Sequence, residues 1–234
     1  MSSASNSTSR DAILGRIRKS LGRTAGDSAP RDVTERLASP KPNAVVPKRA
    51  QITHDQQVAL FEKMATSVNA TVSMVVSDDD IPREVARFLA EHNLPARVKT
   101  SPDAAVSGLP WSDTALEVTA GIAGPEDAVS VTPSFAGVAE TGSLMLRSGA
   151  DTPYTLNMLP DTHIVVLKTS DMVGTYEEVW ARLREKEGHG NMPRTFLWVT
   201  GPSRTGDIEQ TMQLGAHGPR RLHIVLVDDK QKTK

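Results

Sequence analysis

A chain of 234 residues with 27 basic and 28 acidic side chains, net charge -1, has no overall field to draw in nucleic acid, and at 4% aromatic residues it has few platforms for stacking bases. With no cysteine it forms no disulfide, offers no thiol nucleophile and holds no iron–sulfur cluster on thiolates of its own. A hydrophobic content of 38% suits one sizeable α/β domain or two small ones, and no run nears the roughly 18 apolar residues of a membrane-spanning helix.

In chain order, Ser2 to Ser9 is polar and expected to be disordered, so residues 1–9 form a disordered N-terminus. From Arg10 to Leu21 the residues Ile13, Leu14, Ile17 and Leu21 keep helical spacing with Arg16, Arg18 and Lys19 opposite, and Gly22 supplies a stop. The Ser- and Arg-rich start with one acid, Asp11, has the composition of a mitochondrial transit peptide. A plain amphipathic docking helix is favoured over it, because Asp11 falls where a first-turn acid supports a helix. No apolar segment of secretory type follows the start. Pro30, Pro40, Pro42 and Pro47 mark Thr24 to Gln51 as an extended arm, so 10–53 is helix plus arm, 54–228 an α/β domain and 229–234 a charged, frayed tail.

Beyond His54 strands and helices alternate. A helix with Val58, Leu60, Phe61, Met64, Ala65 and Val68 on one face leads into a strand over Thr71 to Val76. Asp78, Asp79 and Asp80 precede a helix with Pro82 in its first turn; adjacent acids seldom converge on one metal ion, and here they suit a helix N-terminus. Short strands are expected at Ala96 to Lys99, Ala115 to Val118, Ala128 to Thr132, Ser143 to Leu146, Phe196 to Val199 and His223 to Val227. His163 to Lys168 reads as a strand covered on both faces, and helices are expected at Tyr176 to Lys186 and Ile208 to Leu214. The alternation predicts a Rossmann-like, mostly parallel sheet covered by helices.

Two clusters carry candidate chemistry. Gly137 to Leu144 sets Glu140 among small residues between two expected strands, where it is either a buried acid at a strand end or a solvated turn residue. Thr200 to Glu209 reads as a strand–turn–helix junction: Gly201 and Gly206 allow close backbone approach, Ser203 and Thr205 suit caps, and Arg204 suits a carboxylate or phosphate. Asp207 and Glu209 oppose an anion there unless they pair with Arg204, and no P-loop lysine is present. His217, bracketed by glycine, is the best-placed general acid or base. His163 and His223 begin strands and are expected to satisfy local hydrogen bonds, His189 lies in a polar loop, and no pair has metal-ligand spacing.

Taken in order, Val138-Ala-Glu-Thr-Gly-Ser-Leu144, Leu159-Pro-Asp-Thr-His-Ile164, Gly201-Pro-Ser-Arg-Thr-Gly-Asp-Ile-Glu209 and Leu214-Gly-Ala-His-Gly-Pro219 resemble the lactate utilization protein C family, the LUD domain. The opening run Arg10-Asp-Ala-Ile-Leu-Gly-Arg-Ile-Arg looks like that family's start, and Ser143 stands where the family usually has threonine. The resemblance implies a fold similar to the sugar-phosphate isomerase and CoA-transferase-like group. It also implies a part in oxidising L-lactate to pyruvate beside iron–sulfur partner proteins, in the cytoplasm.

Two readings follow. In the first, the chain is an accessory or regulatory subunit that binds a small anion, with no cofactor of its own, any iron–sulfur clusters on its partners, and homo-oligomerisation left open. In the second it is a free-standing enzyme on a carboxylate, phosphate or thioester: Glu140 is nucleophile or base and His217 shuttles a proton. Thr141, Gly142, Ser203, Arg204 and Thr205 are the ligand-binding candidates, and both readings expect the clusters to meet at the carboxyl-terminal edge of the sheet.

Overall fold

The computed structural model describes residues 4–230 apart from 25, 29, 30, 40, 42–44, 189, 207–211 and 216. The chain divides into two units, Met1–Pro42 and Asn43–Lys234.

The first unit holds two helices, α1 (Ala4–Ser20) and α2 (Arg31–Ala38). Helix α1 begins inside the stretch expected to be disordered, which leaves Asp11 in its middle rather than its first turn. Its end is as expected. Gly22 is left-handed at φ 64, with its N–H on Lys19 O and the Arg23 N–H on Arg18 O, which satisfies carbonyls the helix leaves open. Helix α2 interrupts the proline-rich arm: its eight residues contain no proline, so nothing in Arg31–Ala38 bars helical hydrogen bonds.

The second unit starts with α3 (His54–Ser67), capped by Thr53 and Gln56 in reciprocal hydrogen bonds, and buries Phe61 and Ala65. There follow β1 (Thr71–Val75), α4 (Ile81–Glu91), β2 (Arg97–Thr100), the single turn α5 (Ala104–Ser107), β3 (Glu117–Ala120), β4 (Val129–Pro133), β5 (Ala136–Val138) and β6 (Ser143–Arg147). Then come β7 (Thr162–Lys168), β8 (Met172–Val173), α6 (Tyr176–Glu187), β9 (Phe196–Val199), β10 (Arg204–Gly206), β11 (Met212–Leu214) and β12 (Arg221–Val227).

Six strands form a wholly parallel sheet in the order β1-β12-β7-β4-β2-β3. Its central strands are apolar on both sides because both faces are covered. Ile164, Val166, Val225 and Val227 pack with Val85, Phe88 and Leu89 of α4 on one face. Val165, Leu167, Ile224 and Leu226 pack with Phe61 and Ala65 of α3 on the other. A smaller sheet, β8-β5-β6-β9, shares that second face and is covered outside by Val179 and Leu183 of α6. The chain builds it on two excursions, between β4 and β7 and again between β7 and β12.

Two expectations are corrected here. Ala128 to Thr132 and Ser143 to Leu146 do not flank Glu140 in one sheet: β4 lies in the large sheet, β6 in the small one, and the unforeseen β5 pairs with β6 so that Glu140 falls in their turn. Met212–Leu214 is a strand rather than the end of a helix and pairs antiparallel with Arg204–Gly206, while 207–211 lie outside the described residues. Short apolar runs fit either periodicity, and the pairing with Arg204–Gly206 decides this one.

Candidate functional site

The two motif clusters converge on the last turn of α3, through glycine. Gly142 has φ 67, and a Cβ there would lie 2.3 Å from Ala65 N and 2.6 Å from the Met64 carbonyl carbon. Gly201 has φ 78, and its Cβ would lie 2.4 Å from Val68 O. Both backbones therefore approach the helix more closely than any side chain permits. Gly142 is accounted for by this packing.

Hydroxyl contacts tie the clusters to each other. Ser143 Oγ lies 2.6 Å from Thr200 Oγ1, 2.9 Å from Tyr176 OH and 2.8 Å from Thr141 Oγ1, and Thr141 Oγ1 lies 2.9 Å from Tyr176 OH. Tyr176 also meets Trp198 edge-on, ring centroids 4.7 Å apart. Beside this group, Glu140 is 7% exposed, its N–H bonds Gly174 O at 3.2 Å, and its carboxylate has no hydrogen-bond partner among the described residues. A nearly buried acid in that condition is set to receive a donor.

A cleft of about 280 Å³ lies next to the second cluster, lined among others by Asn157, His163, Thr200, Ser203, Arg204 and His217. Ser203 closes one wall: its N–H donates to Pro219 O at 2.8 Å, and its Oγ accepts the His217 N–H at 3.4 Å. Arg204 reaches back to α3, with Nη2 3.4 Å from Val68 O. Thr205 lies in β10 opposite Gln213. Glu140, Thr141 and Gly142 do not line the cleft, so the structure brings Ser203, Arg204 and His217 into one cavity and sets the Glu140 turn alongside it through Ser143 and Thr200.

The cleft opens at the amino-terminal edge of the large sheet, not the carboxyl-terminal edge expected. Asn157 and Met158 precede β7, His217 to Pro219 precede β12, and His163 and Leu222 are the second residues of those strands. The reason is the place of β9: it lies in the small sheet, antiparallel to β6, and not in the large parallel sheet, so the turn after Val199 that carries Arg204 comes beside the start of β12 and not to a carboxyl end. Pairing of β10 with β11 also occupies backbone groups that a helix N-terminus would have offered to an anion.

His163 is a further wall residue whose local reading is met. It is buried, its Nε2 lies 2.7 Å from Thr132 Oγ1, and burial pushes its pKa down to about 3, so the ring is neutral. His223, on the opposite face of the sheet, stacks on Phe88 at 4.1 Å with Nδ1 2.9 Å from Thr71 Oγ1, and burial pushes its pKa down to about 4. Its Nε2 lies 3.3 Å from Glu84 Oε1 without hydrogen-bond alignment. No group of three or more His, Cys, Asp or Glu able to hold a metal occurs among the described residues, and none of their helices is long and apolar enough to cross a membrane.

Tyr176 and Asn157 were not singled out from sequence. Tyr176 is 35 residues from Thr141, and no local spacing announces their contact; Asn157 stands two residues before the Leu159-Pro-Asp motif, a position that pointed to it.

A wholly parallel six-stranded sheet with helices on its faces, and with its motifs gathered at one edge, defines an α/β protein; residues 128–227 match the LUD domain. That segment is similar to the LUD domain, and all the candidate site residues lie within it. Along nearly its whole length it is similar to lactate utilization protein C of Exiguobacterium sp., 26% identical over 233 residues, covering 95% of this chain and 97% of that protein. A stretch of 91 residues is 40% identical to an uncharacterized protein of Neisseria meningitidis serogroup B, 39% of this chain and 38% of that protein. Further relatives named lactate utilization protein C are likewise matched over less than half of their length. The crystal structure of a DUF162 family protein from Deinococcus radiodurans shares the fold, with a TM-score of 0.55 at 23% identity over 75% of this chain and 99% of that one.

Proposed function

We propose that this protein is a component of an L-lactate utilization system, an accessory or regulatory subunit that binds a small anion and works beside iron–sulfur proteins in the cytoplasm. The observation that carries the reading is the likeness to lactate utilization protein C across 95% of the chain. The chain has no cysteine, so thiolate-held clusters for such an oxidation would sit on partner proteins. Support for anion binding comes from the amino-edge cleft, where Arg204, Ser203 and His217 face one cavity of about 280 Å³. That volume approaches the lower range of small-molecule sites and suits a compact hydroxy or keto acid.

The test is affinity purification of a tagged chain from cells grown on L-lactate. Cysteine-rich iron–sulfur proteins in stoichiometric amount are the expected company; recovery of the chain alone across mild salt conditions would sink the accessory role. For the cleft, Arg204→Gln is expected to weaken binding of lactate or pyruvate about tenfold, the effect of losing one charge-assisted contact.

A further inference from the structure

The opposite edge of the large sheet carries a second cleft, of about 380 Å³, that none of the motifs touches. It opens beyond the ends of β2, β4 and β7, where Asp103, Ser134, Phe135 and Asp171 lie, and is closed by Arg147 at the end of β6 and by Arg182 and Lys186 of α6. β2 and β4 are neighbours in the sheet, yet their exits diverge. After β2 the chain turns to α5, whose Val106 packs with α4, and after β4 it turns to β5, whose Ala136 and Val138 pack with α6. Neighbouring parallel strands whose connections part to opposite faces leave a crevice at their carboxyl ends, which is where open α/β sheets take ligands.

The side chains at this crevice are charged and held. Arg147 Nη1 bonds Glu187 Oε1 at 2.8 Å, and Arg182 Nη1 bonds Asp171 Oδ1 at 3.1 Å. Each guanidinium carries five donors, so bracing by one carboxylate fixes its direction and leaves other N–H groups for a ligand. Lys186, one helical turn from Arg182, has no carboxylate within 4.0 Å among the described residues. Both cations approach the Phe135 ring, Arg147 Cζ at 5.8 Å and Lys186 Nζ at 5.6 Å from its centroid. Of the acids lining the crevice, Asp103 is turned to its own backbone, accepting the Ala105 N–H at 3.0 Å, and Asp171 is engaged by Arg182. Lys186 is thus the cation left for an incoming group.

We propose that this cleft binds a small organic oxyanion, a carboxylate or a phosphate monoester, with its charged group on Lys186 and the remaining N–H groups of Arg147 and Arg182 and its carbon skeleton against Phe135 and Pro133. The site is independent of the amino-edge cleft and of the lactate reading drawn from it.

Isothermal titration calorimetry of the full chain, with malonate and separately with inorganic phosphate at about 0.15 M ionic strength, tests this where loose surface attraction is screened. A saturable site that persists in Arg204→Gln is expected. Lys186→Gln and Arg147→Gln are each expected to weaken it about tenfold or more, and Arg204→Gln in the other cleft to leave it unchanged. Lys186 is exposed on α6, so its substitution leaves the fold standing, as circular dichroism will register. The absence of saturable heat with either anion would overturn the proposal. So would binding in Arg204→Gln that adding both substitutions leaves unchanged, or binding lost altogether in Arg204→Gln.

Discussion

The two edges of the large sheet solve different problems. At the amino edge, backbones are brought against α3 so closely that only Gly142 and Gly201 fit, and the walls of the cleft are set by short hydrogen bonds among hydroxyls and by a neutral buried His163. At the carboxyl edge the same sheet ends in long side chains, Arg147, Arg182 and Lys186, arranged by ion pairs and by an aromatic ring. The first edge gains shape from packing and the second gains charge from side chains that solvent still reaches. Substitution of the glycines should therefore damage stability at the first edge, and substitution of the cations ligand binding at the second.

The largest effect belongs to the glycines. Gly142→Ala places a Cβ 2.3 Å from Ala65 N on a backbone at φ 67, and Gly201→Ala places one 2.4 Å from Val68 O at φ 78. Overpacking and left-handed strain together are expected to cost roughly 3–5 kcal/mol at each site, read as a lower urea midpoint at unchanged slope. A midpoint within error of the parent for both would remove the claim that close approach organises this edge.

Next comes acid. His163 has an ordinary imidazole pKa of about 6.5 when unfolded, and burial pushes it down to about 3 when folded. The unfolded state therefore takes up the proton first, so the contribution is fully present above about pH 6.5 and is lost as pH falls toward about 3. Each unit of that difference is worth about 1.4 kcal/mol. His163→Asn should flatten the acid limb of stability against pH. His223, with a folded value of about 4 on the other face, should leave a residual slope. An acid limb identical in the parent and in His163→Asn would show that the ring is not held neutral.

These edges were unequally legible in the sequence. The apolar run His163 to Lys168 announced a central strand because both its faces are covered, and Thr162–Leu167 are all buried. The amino-edge motifs were visible because close backbone approach demands glycine at fixed places, as Gly142 and Gly201 record. Their location was not: reading Phe196 to Val199 as one more strand of the parallel sheet sent Arg204 to the wrong edge, since four apolar residues give no sign of which sheet they join. The strand Ala136–Val138 escaped for a similar reason, being three small residues long. The carboxyl-edge cleft had no sequence signal at all. Arg147, Arg182 and Lys186 lie up to 39 residues apart and each resembles an ordinary surface cation until the fold sets them around Phe135.

The smallest expected stability change tests the other half of the comparison. In Arg182→Gln the Arg182–Asp171 pair is lost, but its side chains are 32% and 40% exposed, so solvent screening holds the cost to about 1 kcal/mol or less. The sign is specific. Burial pushes the Asp171 carboxyl up and Arg182 is the largest influence drawing it back, so the substitution should raise it further. A carboxyl raised above its unfolded value binds its proton more tightly when folded, so the penalty should show at neutral pH and be recovered as pH falls through the carboxylate range. Carboxyl chemical shifts followed against pH in parent and variant give the direction, and urea midpoints at two pH values give the size. A loss of several kcal/mol, or an Asp171 titration that moves down, would make this edge as much a packing device as the other and erase the contrast between them. A small loss with the titration moved up would leave Arg182 as a side chain whose place is kept by Asp171 and whose remaining donors are turned to the cleft.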